Sequence, residues 1–379
     1  MPETTNAVVM EEPGKLDIKE FELPNLGPND ILMRVELNGI CGTDIHINHG
    51  GMDHLDFPIL PGHEFAGYVE ELGDNVENDE FGVPLTEGDP ICGMPFWKVE
   101  EDWYSRNMPH REQIFTGIAG LGLASVTTGN VGGMSEYLVM PEQASVYKLP
   151  DTLDVTHGAL AEPMSIAVHA YERAVEAGFP VMKEGVGLGS SVAVQGVGPI
   201  GLLVIAVAAY SGSSQIIAVD AIDDRLDLAR EFGATDTVNI TDHESDDALV
   251  EAVKAKTDSG LGPDAVFECA GIPQAIAQGI EMVHDGGYYV EAGHYAYNGE
   301  VEINPTRIVQ KELTILGSKA APSRQFGTGV KILADIADDV PLSDFFNKPV
   351  GMTLDEVEDA YETQAAGHAL RASIHPHGV

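Results

Sequence analysis

Cysteine is scarce in this 379-residue chain: Cys41, Cys92 and Cys269 are all it has. Three thiols spread over such a length build no disulfide framework. Basic residues are scarce as well, 20 Lys and Arg against 61 Asp and Glu, a formal net charge of -41. A surface of that sign repels a phosphate backbone, so nucleic acid is excluded as a partner. Long uninterrupted apolar runs are missing too. The longest, "VAVQGVGPIGLLVIAVAAY" over 192–210, is broken by Gln195, three glycines and Pro199 and does not read as a membrane span. No charged-then-apolar leader stands ahead of residue 30, so the expectation is a cytoplasmic protein.

What is present is a globular composition, 44% apolar, in a chain longer than one domain usually runs, so two domains are expected. The acidic residues fall as scattered pairs rather than one block and therefore coat the surface. Self-repulsion on that scale opposes a compact state unless salt screens it, which reads as adaptation to molar salt.

Residues 6–38 alternate apolar and polar in short runs broken by "EEPG" and "NLGPND", the pattern of antiparallel strands joined by turns. Glycine and proline stay dense to about residue 150. From 157 helical periodicity sets in with "HGALAEPMSIAVHAYERAVEAG". Strand and helix then alternate through "SVAVQG", "PIGLLVIAVAAYSG", "QIIAVD", "DRLDLAREFG", "DAVFECAG", "QAIAQGIEMV" and "GGYYVEAG". Such alternation predicts a parallel sheet covered by helices.

Within that half, Gly196-Val197-Gly198-Pro199-Ile200-Gly201 follows the apolar strand "SVAVQ" and opens the helix "LLVIAVAA". A lone G-x-G-x-x-G is weak, but strand before and helix after are the context it requires. The glycines allow a tight turn and let backbone approach a pyrophosphate, whose charge sits at the helix's positive end. Pro199 suits a first helical turn. Nineteen residues after Gly201 the strand "QIIAV" ends in Asp220. A carboxylate there accepts from a ribose diol and repels a 2'-phosphate, which favours NAD over NADP. Arg225 is the nearby basic group that could reverse this preference. The competing reading uses the glycines only for helix–strand packing and leaves Asp220 a solvated strand end.

A second set of chemistry-bearing residues lies in the first half. "NGICGTDIHINHG" (38–50) holds Cys41, Thr43, Asp44, His46 and His49; "LPGHEFAG" holds His63 and Glu64; "LAEPMS" holds Glu162. Thiolate, imidazole and carboxylate are the donors zinc accepts with one position left open. A free cysteine is more often a small buried hydrophobe than a ligand, and spacing alone does not show that these segments meet.

Taken in order, "GICGTDIHI", "PILPGHEFAG", "EGDPICG", "GGMSEYLVMP", "LAEPMSIAVHA", "VQGVGPIGLL", "VFECAG" and "INPTRIVQKELTILGS" resemble the zinc-dependent medium-chain alcohol dehydrogenases, most of all the sorbitol, butanediol and threonine dehydrogenase branch. The likeness runs from about residue 8 to 320. It implies an α/β chain with a mostly-β GroES-like catalytic domain from 1–164 and 322–379, a Rossmann domain over 165–321, and a cleft between them. It implies Cys41 and His63 as catalytic zinc ligands, with Glu64 and Glu162 at the acidic positions that ligate directly or through water. Thr43 and His46 match proton-relay positions. Asp44 reads as support of the turn or of a ligand, with metal ligation as the competing reading, and His49 and His54 read as surface histidines. The cofactor contacts it implies are Gly196, Gly198, Pro199, Ile200, Gly201, Asp220 and Arg225.

One departure matters. The family commonly carries four close cysteines that bind a structural zinc, and residues 93–130 contain no cysteine. One catalytic zinc per chain and no structural zinc are expected. The segment around Trp97, Trp103, Tyr104 and His110 reads as aromatic packing of a replacement lobe, or as lining of the substrate cleft or an interface. Cys269 reads as core. The reaction implied is hydride transfer from a secondary alcohol of a polyol or sugar to NAD, in a homo-oligomer. The alternatives are a threonine or other amino-alcohol dehydrogenase and, in another class, a zinc-free quinone reductase-like or catalytically silent relative.

The charge balance yields a first test. From about 0.1 M to about 1 M salt the Debye length falls from ~10 Å to ~3 Å. Thermal midpoint and activity should rise together over that range, in NaCl and KCl alike. A melting curve indifferent to salt would refute the halophilic reading.

Overall fold

A computed structural model describes residues 2–52, 55–98, 103–107, 118–125, 131–176, 185–346 and 352–378. The chain divides into two compact units, Met1–Ser165 with Ala321–Val379, and Ile166–Ala320.

The first unit is mostly antiparallel sheet. Strands Thr4–Glu12 and Lys15–Glu22 pair as a hairpin across the Pro13–Gly14 turn, where Gly14 takes φ +81°. Ile59–Pro61 and Leu123–Ser125 extend that sheet. A second sheet runs Tyr137–Met140, Ile31–Gly39, Glu64–Leu72, Pro90–Gly93 and Val146–Lys148. The short strand Ser373–Ile374 joins it from the far end of the chain, with Ser373 opposite Gly39 and Ile374 opposite Asn38. Alternation along Thr4–Glu12 and Ile31–Gly39 sends Val9, Met33 and Val35 into one core, where Leu138 and Ile91 of the neighbouring strands join them. Val8, Met10, Ile40 and Ile47 pack with Val357, Ala360 and Ile374 in another. The C-terminal segment thus completes the core of the N-terminal one.

Register in this sheet decides where the site falls. Gly39 pairs with Glu64 and Asn38 with Phe65. The chain leaving one strand through Ile40–Cys41 therefore emerges beside the chain entering the other through His63–Glu64. A one-residue slip would turn every side chain of the strand to the opposite face.

In the second unit six strands are all parallel, in the spatial order Asp236–Asn239, Gln215–Asp220, Ser191–Gln195, Ala265–Glu268, Tyr288–Glu291, Thr314–Gly317. Numbered along the chain this is 3-2-1-4-5-6, the doubly wound order of a dinucleotide-binding sheet. The near-continuous apolar strands "VAV", "IIAV" and "AVF" are buried, as a sheet covered on both faces demands. The helix Pro199–Tyr210 contains the apolar run noted above, and its residues Gly201–Ala208 are all buried. That burial within the protein accounts for its hydrophobicity, and among the described residues no helix is long and apolar enough to cross a membrane.

Phe267 is fully buried at the sheet centre, stacked on Tyr171 with ring centroids 5.8 Å apart. Phe267→Ala should cost about 3–5 kcal/mol through lost burial and a residual cavity. Leu261→Ala, at a side chain 69% exposed, should change stability by less than about 0.5 kcal/mol. Denaturant midpoints at constant m-value check both, and equal shifts would contradict this placement of the core.

Candidate active site

Strand register and one short helix assemble the first-half residues. Cys41 caps the helix Gly42–Asn48, and Asp44 reaches back to close the cap, its Oδ2 accepting the Cys41 backbone N–H at 2.8 Å. Asp44 is 1% exposed, and its Oδ1 lies 3.7 Å from His63 Nδ1. Ahead of His63 stands Gly62 at φ +103°, where a Cβ would meet the Met134 backbone nitrogen. Only glycine allows that turn.

The outcome is convergence. Cys41, His63 and Glu64 each offer a ligand atom within 4.8 Å of the others. His63 and Glu64 are buried and Cys41 is half-buried. Half-buried Glu162 begins the helix Ala161–Glu176 and stands outside that trio, though its charge still acts on His63 and Arg371. Thr43 Oγ1 lies 3.6 Å from Cys41 Sγ, and His46 is exposed one turn further along the helix. His49 is exposed as well, whereas His54 lies outside the described residues.

The electrostatics mark an excess of negative groups. Burial lifts the Asp44 carboxyl to about 6, against the pull of His63. Burial likewise pushes the Glu162 carboxyl up to about 7, with His63 again opposing and Glu64 reinforcing. For His63, burial disfavours the charged ring, yet Asp44, Cys41 and Glu162 together hold it well above the usual imidazole range. Asp44 Oδ1, His63 Nδ1 and Glu64 Oε1 are buried without hydrogen-bond partners. Buried imidazole and carboxylate atoms without hydrogen-bond partners, gathered with the Cys41 sulfur in one anionic pocket, fit a zinc ion.

Sequence reading missed Arg371. It is 3% exposed, its Nε lies 3.3 Å from Glu64 Oε2, and one terminal nitrogen donates to the Ile40 carbonyl at 3.3 Å. Gly39 makes room for this pair: a Cβ there would come within 2.7 Å of Glu64 Oε2 and 3.5 Å of Arg371 Cγ. Nothing in "LRASIHPHG" announces the role, because only the Ser373–Gly39 strand pairing brings position 371 to the pocket.

In the second unit Gly196 follows its strand at φ +81°, where a Cβ would meet Ala270 at 2.5 Å. Gly198 is the N-cap of the helix that starts at Pro199. Gly201 packs against the Gly196 carbonyl with no room for a side chain. Asp220 is 7% exposed rather than a solvated strand end. Its Oδ2 accepts the Val197 N–H at 2.7 Å, and its Oδ1 accepts those of Ala221 and Ile222 at 2.7 and 3.0 Å. The carboxylate thereby braces the glycine turn. Arg225 is half-buried on the helix Asp223–Glu231, and Ile200 is half-buried within the first turn after Gly198. Cys269, expected as core, is half-buried just past its strand. Trp97 is buried in the sheet core and Trp103 is 64% exposed; the side chain of Tyr104, and His110 altogether, lie outside the described residues.

The sequence matches the zinc-binding dehydrogenase family over residues 199–335 and the alcohol dehydrogenase GroES-like domain over 27–151. It is 34% identical to D-xylulose reductase of Saccharomyces cerevisiae over 322 residues, 83% of this chain and 82% of that protein. It is 31% identical to L-threonine 3-dehydrogenase of Francisella tularensis, covering 82% of this chain and 83% of that one. An alcohol dehydrogenase structure from Thermotoga maritima superposes with a TM-score of 0.88 at 25% identity, over 98% of this chain and 99% of that one. With relatives at 31% and 34% identity over more than four fifths of its length, the chain belongs to the zinc-dependent medium-chain alcohol dehydrogenase family.

Proposed function

We propose that the protein is an NAD-dependent dehydrogenase that oxidises a secondary alcohol of a polyol or sugar, with one catalytic zinc per chain and no structural zinc. The observation that carries this reading is the approach of Cys41, His63 and Glu64 to within 4.8 Å in one buried, anionic pocket. A zinc-free or catalytically silent relative has no use for that pocket. Similarity to D-xylulose reductase favours a polyol, and similarity to L-threonine 3-dehydrogenase keeps an amino alcohol as the second reading.

Cys41, His63 and Glu64 would hold the zinc, with Glu162 beside them as an alternative carboxylate. When bound, zinc supplies Lewis acidity toward the substrate oxygen and NAD supplies the hydride acceptor. Asp44 orients the His63 ring through its Nδ1 side. Arg371 holds the Glu64 carboxylate by its Oε2, leaving Oε1 for the pocket. Thr43 Oγ1, beside Cys41, is positioned to take a proton from a substrate hydroxyl. His46, exposed on the same helix, is suited to pass it to solvent. In the second unit the Gly196–Gly201 turn receives the pyrophosphate and Asp220 sets NAD against NADP. A homo-oligomer, dimer or tetramer, fits the apolar side chains exposed in that unit, Ile315 (43%) on the edge strand Thr314–Gly317 and Val309 (76%) on the helix before it.

Metal analysis and turnover test the core of this reading. One zinc per chain should survive desalting. Exhaustive chelation and Cys41→Ser should each abolish NADH formation across a panel of polyols, aldoses and threonine, with the far-UV spectrum preserved. Full activity after chelation would overturn the assignment, and two tightly held zinc ions would overturn the absence of a structural one.

Cofactor choice is tested separately. The kcat/KM for NAD should exceed that for NADP, and Asp220→Ser should narrow the ratio by about tenfold, about 1.4 kcal/mol of discrimination. Equal use of NADP by the unaltered enzyme would assign the decision to Arg225 instead.

A further inference from the structure

The second unit contains another group of metal-type donors that the dehydrogenase reaction does not use. Glu268 ends the strand Ala265–Glu268, Glu291 ends the adjacent strand Tyr288–Glu291, and His294 follows three residues later. Each glutamate braces the turn after its own strand. Glu268 Oε1 accepts the N–H groups of Ala270 and Gly271, both at 2.9 Å. Glu291 Oε1 accepts those of Gly293 and His294, both at 3.1 Å. The two turns are therefore held independently of any ligand.

The same groups also form a triangle of donors, in which Glu291 Oε1 keeps its two backbone bonds and the Tyr289 hydroxyl donates to Glu291 Oε2 at 3.2 Å. His294 Nδ1 lies 2.9 Å from Glu291 Oε1 and 3.4 Å from Glu268 Oε2, and the three ligand atoms all fall within 4.8 Å of one another. A cation holding oxygen and imidazole nitrogen at ~2.1 Å separates neighbouring donors by ~3.0 Å in octahedral and ~3.4 Å in tetrahedral geometry. Two sides of the triangle already have those lengths. The Glu268 side chain is fully buried, and its Oε2 accepts no hydrogen bond. Gly293 keeps this atom accessible to the triangle, since a Cβ at 293 would collide with it. One imidazole faces both carboxylates, with Glu268 Oε2 left over as a buried acceptor that no hydrogen bond satisfies.

We propose that Glu268, Glu291 and His294 form a divalent cation site separate from the Cys41 centre. The ion displaces the proton shared by His294 Nδ1 and the carboxylates, and it ties the 269–271 turn to the 292–294 turn at the carboxyl edge of the sheet. Without a thiolate the site binds more weakly than the Cys41 set, so the ion exchanges during desalting and a hard or borderline cation such as Mn²⁺ occupies it.

The test uses the zinc-loaded full-length enzyme in about 2 M KCl, which screens the surface carboxylates. Titration with MnCl₂, read by the paramagnetic signal of free Mn²⁺, should show one ion taken up per chain and a rise in thermal midpoint. Glu291→Gln and His294→Gln should each weaken uptake at least tenfold and remove that rise, while Cys41→Ser leaves both in place. Pulsed paramagnetic resonance on the unaltered enzyme should show nitrogen coupling from one imidazole, a measurement that needs no variant to fold. Uptake unchanged in the glutamine variants, uptake lost with Cys41→Ser, no uptake at all, or a bound ion without nitrogen coupling would each overturn the proposal.

Discussion

The pairing of Gly39 with Glu64 is the constraint on which the first unit's chemistry depends. Because side chains alternate along a strand, this register alone decides that Cys41, leaving one strand, and His63 with Glu64, entering the next, share one pocket. The short strand at Ser373–Ile374 then brings Arg371 against the same carboxylate. Three segments far apart in the chain meet because of backbone hydrogen bonds made a few residues away. Gly39 and Gly62 are the steric conditions of that meeting, the first leaving space for a carboxylate and the second for a turn.

The pocket also shows how this acidic chain uses charge differently inside and out. On the surface, carboxylates remain hydrated and repel one another across distances that salt can screen. In the pocket, burial raises Asp44 to about 6 and Glu162 to about 7. Those groups act on His63, and the crowding of carboxylates there is what the proposed zinc would offset. The carboxylates braced by Ala270, Gly271, Gly293 and His294 in the second unit are likewise brought together, with a single imidazole between them.

Asp220 has a structural task besides the ribose-reading role proposed for it. By accepting the Val197 N–H it fixes the glycine turn, so the group proposed to choose the cofactor also shapes the turn proposed to receive the pyrophosphate. A change at this position alters loop geometry as well as charge, and a neutral residue able to accept a hydrogen bond separates those two effects better than alanine does.

The sequence by itself determined that the second unit is a parallel sheet covered by helices, with a glycine turn at 196–201, because hydrophobic periodicity and glycine placement are local and fix strand, turn and helix within some twenty residues. It also determined the donor types at 41, 63, 64 and 162 and, through its motifs, the family. Only the tertiary structure decided which donors meet. Cys41, His63 and Glu64 close into one group while Glu162 stands just outside it. Arg371 enters from the far end of the chain, and Glu268 and Glu291, ordinary strand ends when read in sequence, converge on His294. These are contacts between segments tens to hundreds of residues apart, set by strand register and by the absence of side chains at Gly39 and Gly293. No local pattern in the sequence encodes a distance between such segments.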